Sequence, residues 1–81
     1  MIKYERGMLA KSLAGHDKGS LYMIIDIDEK YVYLADGRYK TLDKLKKKNK
    51  QHVQIIHGVH DTAELSDTYI KRTIHCNEEE V

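Results

Sequence analysis

The stretch Gly15-His16-Asp17-Lys18-Gly19-Ser20-Leu21-Tyr22-Met23-Ile24-Ile25-Asp26-Ile27-Asp28 decides the fold class. From Ser20 to Asp28, Leu21, Met23, Ile25 and Ile27 recur at period two, with Tyr22, Ile24 and Asp26 opposite them. Strict alternation is the signature of a strand, and apolar residues on both faces predict cover on both sides for part of its length. Just before it, two glycines bracket three polar residues. That cluster reads as a turn in which glycine supplies positive φ. Upstream, Met8 to Ala14 is the natural partner strand.

Downstream, Asp28-Glu29-Lys30 turns the chain and Tyr31 to Ala35 alternates again, with Val32 and Leu34 inward and Tyr31 and Tyr33 on the other face. Asp36-Gly37 predicts a two-residue hairpin turn, because both residues tolerate left-handed backbone, and Arg38 to Thr41 is the expected return strand. Leu42 and Leu45, three apart, suit a single helical turn tucked against a sheet. Lys46 to Lys50 has no apolar residue and is expected as exposed loop. His52 to His57, with Val53, Ile55 and Ile56, is the expected last strand. Five short strands joined by tight turns predict a mainly β fold, a small SH3-like barrel over residues 1–60.

Residues 61–81 change period. Ser66 is a good N-cap, Asp67 suits the positive end of a helix, and Leu65, Tyr69, Ile70, Thr73 and Ile74 form a narrow apolar stripe. A short amphipathic helix is expected over Ser66 to His75, docked on the barrel or on a partner, with Lys71, Arg72 and His75 in its last turns. Asn77 to Val81 is expected as a frayed acidic tail.

The chain has 81 residues, which allows one domain that buries about 60–65% of the surface exposed by the unfolded chain. Charged residues at 33% and apolar residues at 41% fit a globular chain and exclude a disordered one. No apolar run exceeds five residues, so no membrane-spanning segment is expected, and no secretory signal is visible. The single cysteine, Cys76, cannot form an internal disulfide; a reducing cytoplasmic location is the expectation.

The net charge of +1 conceals a segregation. From Arg38 to His52 there are seven bases against one acid, Asp43; from Asp61 to Val81 there are six acids against Lys71 and Arg72. A basic block of this kind either binds a polyanion or is a solvated loop. Catalysis finds little support. Gly-x-Ser-x-Gly, Cys-x-x-Cys and His-Glu-x-x-His are all missing, and the Gly15–Ser20 loop lacks the Walker spacing. His52, His57, His60, His75 and Cys76 match no zinc spacing, and on a strand His52 and His57 would face opposite ways. No enzymatic activity, cofactor or metal is expected.

The segment from Gly7 through Gly15-His16-Asp17-Lys18-Gly19 to the strand ending at Asp28 resembles a KOW motif, a strand, a glycine-bounded basic loop and a second strand. Tyr31 to Gly37 is similar to the next hairpin of the KOW proteins related to the large-subunit ribosomal proteins of archaea and eukaryotes. Lys46-Lys47-Lys48-Asn49-Lys50-Gln51-His52-Val53-Gln54 resembles their basic segment, in which Asn-x-x-His follows lysines and arginines. Bacterial single-domain members also end in a short helix. The resemblance implies binding of structured RNA, with ribosomal RNA or the ribosome as partner, a role in translation and no membrane association.

On that expectation the RNA-binding residues are His16, Lys18, Arg38, Lys40, Lys46, Lys47, Lys48, Asn49, Lys50 and His52. Lysines and arginines would neutralise phosphates and the loop amides would form an anion nest; Tyr31, Tyr33 and Tyr39 would offer faces to unpaired bases. Replacing Lys46, Lys47 and Lys48 together by Glu is expected to abolish binding without unfolding the domain. The rival reading is a protein-interaction module, in which Leu65, Tyr69, Ile70 and Ile74 form the contact, including a homodimer through the helix, and the lysines only solubilise the surface.

Overall fold

In the computed structural model, which describes residues 3–79 apart from the side chains of His57 and Glu79, the alternating segments are strands. They are β1 (Met8–Ser12), β2 (Leu21–Ile27), β3 (Tyr31–Ala35), β4 (Lys46–Asn49) and β5 (Val53–Val59). A 3-10 turn over Lys50–His52 joins β4 to β5, and one helix, α1, spans Asp67–Glu79. The strands form one antiparallel sheet in the order β4-β3-β2-β1-β5. The sheet curls into a half-barrel with α1 against it, so the expected fold class holds: mainly β, five strands, one C-terminal helix.

Alternation along the strands builds two cores. Met8, Ala10, Tyr22, Ile24, Val32, Leu34 and Val53 fill the inside of the curl. Leu9, Leu21, Met23, Ile25 and Ala35 point the other way and meet Ile70 and Ile74 of α1. β2 contributes to both, as its double apolar face predicts. A bulge between Ile24 and Asp26 then changes its parity. Asp26 pairs with Tyr33 and stays exposed, while Ile27 pairs with Val32 and packs on the inner core instead of continuing the Leu21-Met23-Ile25 row. One extra residue thus keeps a carboxylate in water.

Helix α1 starts where its cap predicts. The Tyr69 amide donates to Ser66 Oγ at 3.1 Å, and the Ile70 amide donates to the Ser66 carbonyl at 3.0 Å. Its far end lies beyond the expected His75: the helix continues to Glu79, with Asn77 Nδ2 donating to the Thr73 carbonyl at 2.8 Å. Lys71, Arg72 and His75 are therefore in its interior, and its last turn holds no basic residue. Of the expected acidic tail, Asn77 to Glu79 are helical, while Glu80 and Val81 lie outside the described residues. Ile70 is fully buried and Ile74 nearly so, each stabilising the docked helix by about 2 kcal/mol. The stripe is spent on the chain's own sheet.

The fourth strand is where the sequence expectation fails. Arg38 to Thr41 is not a return strand, and Asp36-Gly37 is not a two-residue hairpin turn. Asp36 Oδ1 accepts from the amides of Arg38, Tyr39 and Lys40 at 2.9, 2.9 and 2.8 Å, which coils the chain instead of extending it. Gly37, at φ 75°, passes so close to the Asp67 carbonyl oxygen that a Cβ could not fit. Asp67 also accepts the Leu42 amide at 2.9 Å, so the segment after β3 is sewn to the start of α1. Leu42 and Leu45 pack on the helix-side core, with the Lys44 amide closing one turn onto the Thr41 carbonyl. The lysine run that follows is strand β4, not loop.

Candidate functional site

Placing Lys46–Asn49 on a strand splits the lysines between two faces. Lys46 pairs with Leu34 and Lys48 with Val32, residues of the inner core, so both lysines turn inward. Lys47 and Asn49 pair with Tyr33 and Tyr31 and face out. An inward lysine on an edge strand must lay its stem on apolar surface and bring its ammonium to a partner. That partner is Asp17, from the middle of the Gly15–Gly19 turn.

Each Asp17 oxygen receives one ammonium and one hydroxyl. Oδ1 accepts from Lys48 Nζ at 3.0 Å and from Ser12 Oγ at 2.9 Å; Oδ2 lies 3.2 Å from Lys46 Nζ and accepts from Tyr22 Oη at 3.0 Å. Lys48 Nζ also donates to the Ala14 carbonyl at 2.9 Å. The side chains of Asp17 and Lys48 are only 15% and 11% exposed, while that of Lys46 is 29% exposed. Burial pushes the Asp17 pKa upward, but the donors from Lys48, Ser12, Lys46 and Tyr22 outweigh it and hold the carboxyl far below the usual range. The Tyr22 hydroxyl is pushed up to about 12, first by burial and then by its hydrogen bond to Asp17 and the negative charge there. Two ammoniums face one carboxylate, so the cluster keeps a positive excess.

The glycine turn is less open than an anion nest requires. The amides of Lys18, Gly19 and Ser20 donate to the carbonyls of Gly15, Ser12 and Asp17 at 3.3, 2.9 and 2.9 Å, so these three are already used. The side chains of His16 and Lys18 remain exposed on either side of Asp17. His52 is exposed at the same end of the sheet, its carbonyl accepting the Leu13 amide at 2.8 Å.

The other expected site residues lie elsewhere. Lys47 Nζ rests 4.2 Å from the centre of the Tyr31 ring. Asn49 Oδ1 caps the 3-10 turn by accepting the Gln51 amide at 2.8 Å, and Lys50 Nζ donates to the Glu29 carbonyl at 3.1 Å. Close by, Asp28 accepts Tyr33 Oη at 2.6 Å and the amides of Tyr31 and Lys30 at 2.8 and 3.0 Å. The Tyr33 bond leads in lowering the Asp28 pKa, and the same bond raises that of Tyr33. Arg38 and Lys40 belong to the coil after β3, near α1. Ten expected residues thus fall into three groups: His16, Lys18, Lys46, Lys48 and His52 about the glycine turn; Lys47, Asn49 and Lys50 at the outer edge; and Arg38 and Lys40 beside the helix.

Asp17 was missed by sequence reasoning because an acid inside a basic loop reads as solvent-facing punctuation. The available signal was parity: on a strand, Lys46 and Lys48 share a face and need a common acceptor. Among the described residues no group of three or more His, Cys, Asp or Glu side chains is placed to hold a metal ion, and no helix is long and apolar enough to cross a membrane. The side chain of His57, weighed above with the other histidines, lies outside the described residues. No protein-family model matches the chain, and no curated protein sequence matches it significantly.

Proposed function

We propose that this small barrel binds structured RNA through the end capped by the Gly15–Gly19 turn, in a ribosome-associated or translation-related role. The observation that carries the reading is the pairing of Lys46 and Lys48 with the single carboxylate of Asp17, with the exposed side chains of Lys18, His16 and His52 at the same end. Lys18 and the partly exposed Lys46 approach phosphate directly; Lys48 contributes charge from beneath. The resemblance to KOW proteins supports the same ligand on its motif residues alone. No chemistry at the site calls for catalysis, and the helix stripe that a protein-interaction reading needs is packed against the sheet.

Fluorescence anisotropy with a labelled RNA hairpin, across a salt series, tests this. Binding through about three phosphates should weaken with a log–log salt slope of roughly −2 to −3, and Lys18→Glu should flatten that slope by about one unit. Absence of binding at low salt, with the fold intact by circular dichroism, would overturn the RNA reading. Co-sedimentation with ribosomal subunits at low but not high salt tests the translational part separately.

A further inference from the structure

A second feature is the groove between the coil after β3 and α1, which Ser20 and Leu21, just after the glycine turn, also line. Its walls carry Asp36, Arg38 and Tyr39 from the coil and Lys71, His75 and Glu78 from the helix. Tyr39 is 74% exposed, an unusual position for a large ring, yet its backbone is held firmly. Its amide and those of its two neighbours all donate to Asp36 Oδ1, and Gly37 is locked against the first turn of α1. The Arg38 guanidinium sits 5.1 Å from the centre of the Tyr39 ring. The exposure leaves the ring open to a planar partner.

A solvent-facing ring on a firmly held backbone, flanked by cations, is the combination that stacks an unpaired base and neutralises its phosphate. Of the two carboxylates in the groove, Asp36 is engaged through Oδ1 by three amides, and Glu78 stands on α1 with Lys71. We infer that this groove is a nucleotide subsite, in which Tyr39 stacks one unpaired base and Arg38 and Lys71 contact the phosphates beside it. The inference rests on the RNA-binding reading and deepens it: the preferred ligand is a paired stem adjoining a single-stranded segment. The stem lies on the glycine-turn end and the unpaired nucleotide reaches Tyr39.

The test compares a hairpin bearing a short single-stranded overhang with a fully paired hairpin, using the full chain and anisotropy. Tyr39→Ala should weaken overhang binding about tenfold and leave the paired hairpin unchanged, while Tyr39→Phe should bind like the parent. A 2-aminopurine in the overhang should be quenched on binding by the parent and not by Tyr39→Ala. Lys71→Glu should weaken overhang binding without touching the glycine turn. Equal overhang affinity for the parent and Tyr39→Ala would overturn the subsite and leave RNA binding standing. If the parent binds neither hairpin, the RNA reading and the subsite fall together.

Discussion

Asp17 and Lys48, thirty-one positions apart in sequence, meet at 3.0 Å and tie the β1–β2 turn to the edge strand β4. β4 and β5 are the two edges of the sheet and do not pair with each other. Side chains therefore link the turn to an edge that backbone pairing leaves open. Removing one member of such a half-buried pair strands the other. Asp17→Asn should destabilise the domain by about 3 kcal/mol in urea unfolding, with a coupling of about 1–3 kcal/mol to Lys48→Met in a double-mutant cycle. A loss below about 0.5 kcal/mol for Asp17→Asn would show the contact to be incidental.

The same carboxylate contributes to the acid limb of stability. Its folded pKa lies below the ordinary value of 3.8, so below that pH the unfolded chain takes up the proton first. The contribution is complete above the unfolded value and is lost as pH falls toward the folded one. Urea midpoints should drop steadily from pH 4 downward, more steeply for the parent than for Asp17→Asn. Parallel acid limbs would refute the assignment.

Tyr22 acts with the opposite sign. Its hydroxyl moves from 10.0 to about 12 on folding, so the native state keeps a proton that the unfolded chain releases. That stability is present below pH 10 and is lost as pH rises through about 12. Tyr22→Phe should flatten the decline between these values. It should also cost about 1–2 kcal/mol at neutral pH by removing a donor from Asp17. An alkaline limb identical to the parent's would exclude Tyr22 as its source.

Parity along β4 separates three adjacent lysines. Lys47→Glu should shift stability by less than about 1 kcal/mol, losing one exposed cation–π contact. Lys48→Glu should cost about 3 kcal/mol or more, because it sets a second half-buried carboxylate against Asp17. Replacing all three by Glu is accordingly expected to unfold the domain, contrary to what an exposed loop would allow. Equal tolerance at both positions in thermal unfolding would argue against the strand.

Gly37→Ala tests the junction between the coil and the helix. The position needs positive φ and has no room for a Cβ against Asp67, so the substitution should cost about 2 kcal/mol or more. Hydrogen exchange should report the damage locally, with the Leu42 amide, bound to Asp67, losing protection first. Unchanged protection there would mean that the coil docks by other contacts.

The barrel was legible in the sequence wherever apolar alternation is strong. β1, β2, β3 and β5 were found within a few residues, and the period-two reading of β3 placed Val32 and Leu34 inward and Tyr31 and Tyr33 on the other face, as observed. β4 was not legible because its apolar content is nil. Hydropathy cannot distinguish a loop from a strand whose inward positions are lysines satisfied by a distant acid. Arg38–Thr41 misled for the opposite reason, since Asp-Gly is a good hairpin signal that three amide bonds to Asp36 and the approach of Asp67 override. The candidate site was readable as a set of residue types. Its division into three places depended on strand parity and on Asp17, which only the tertiary structure brings into view.

The bulge in β2 has a bearing on how the chain tolerates changes of length. Ile25 is the residue that pairing does not require: Ile24 already meets Leu34 and Asp26 already meets Tyr33. Deleting Ile25 would preserve every cross-strand partnership, at the loss of one hydrophobic contact under α1 and of the carbonyl that accepts Arg6 Nε at 2.8 Å. A one-residue gap at this position in a related chain would thus signify a straighter strand in an otherwise unchanged sheet.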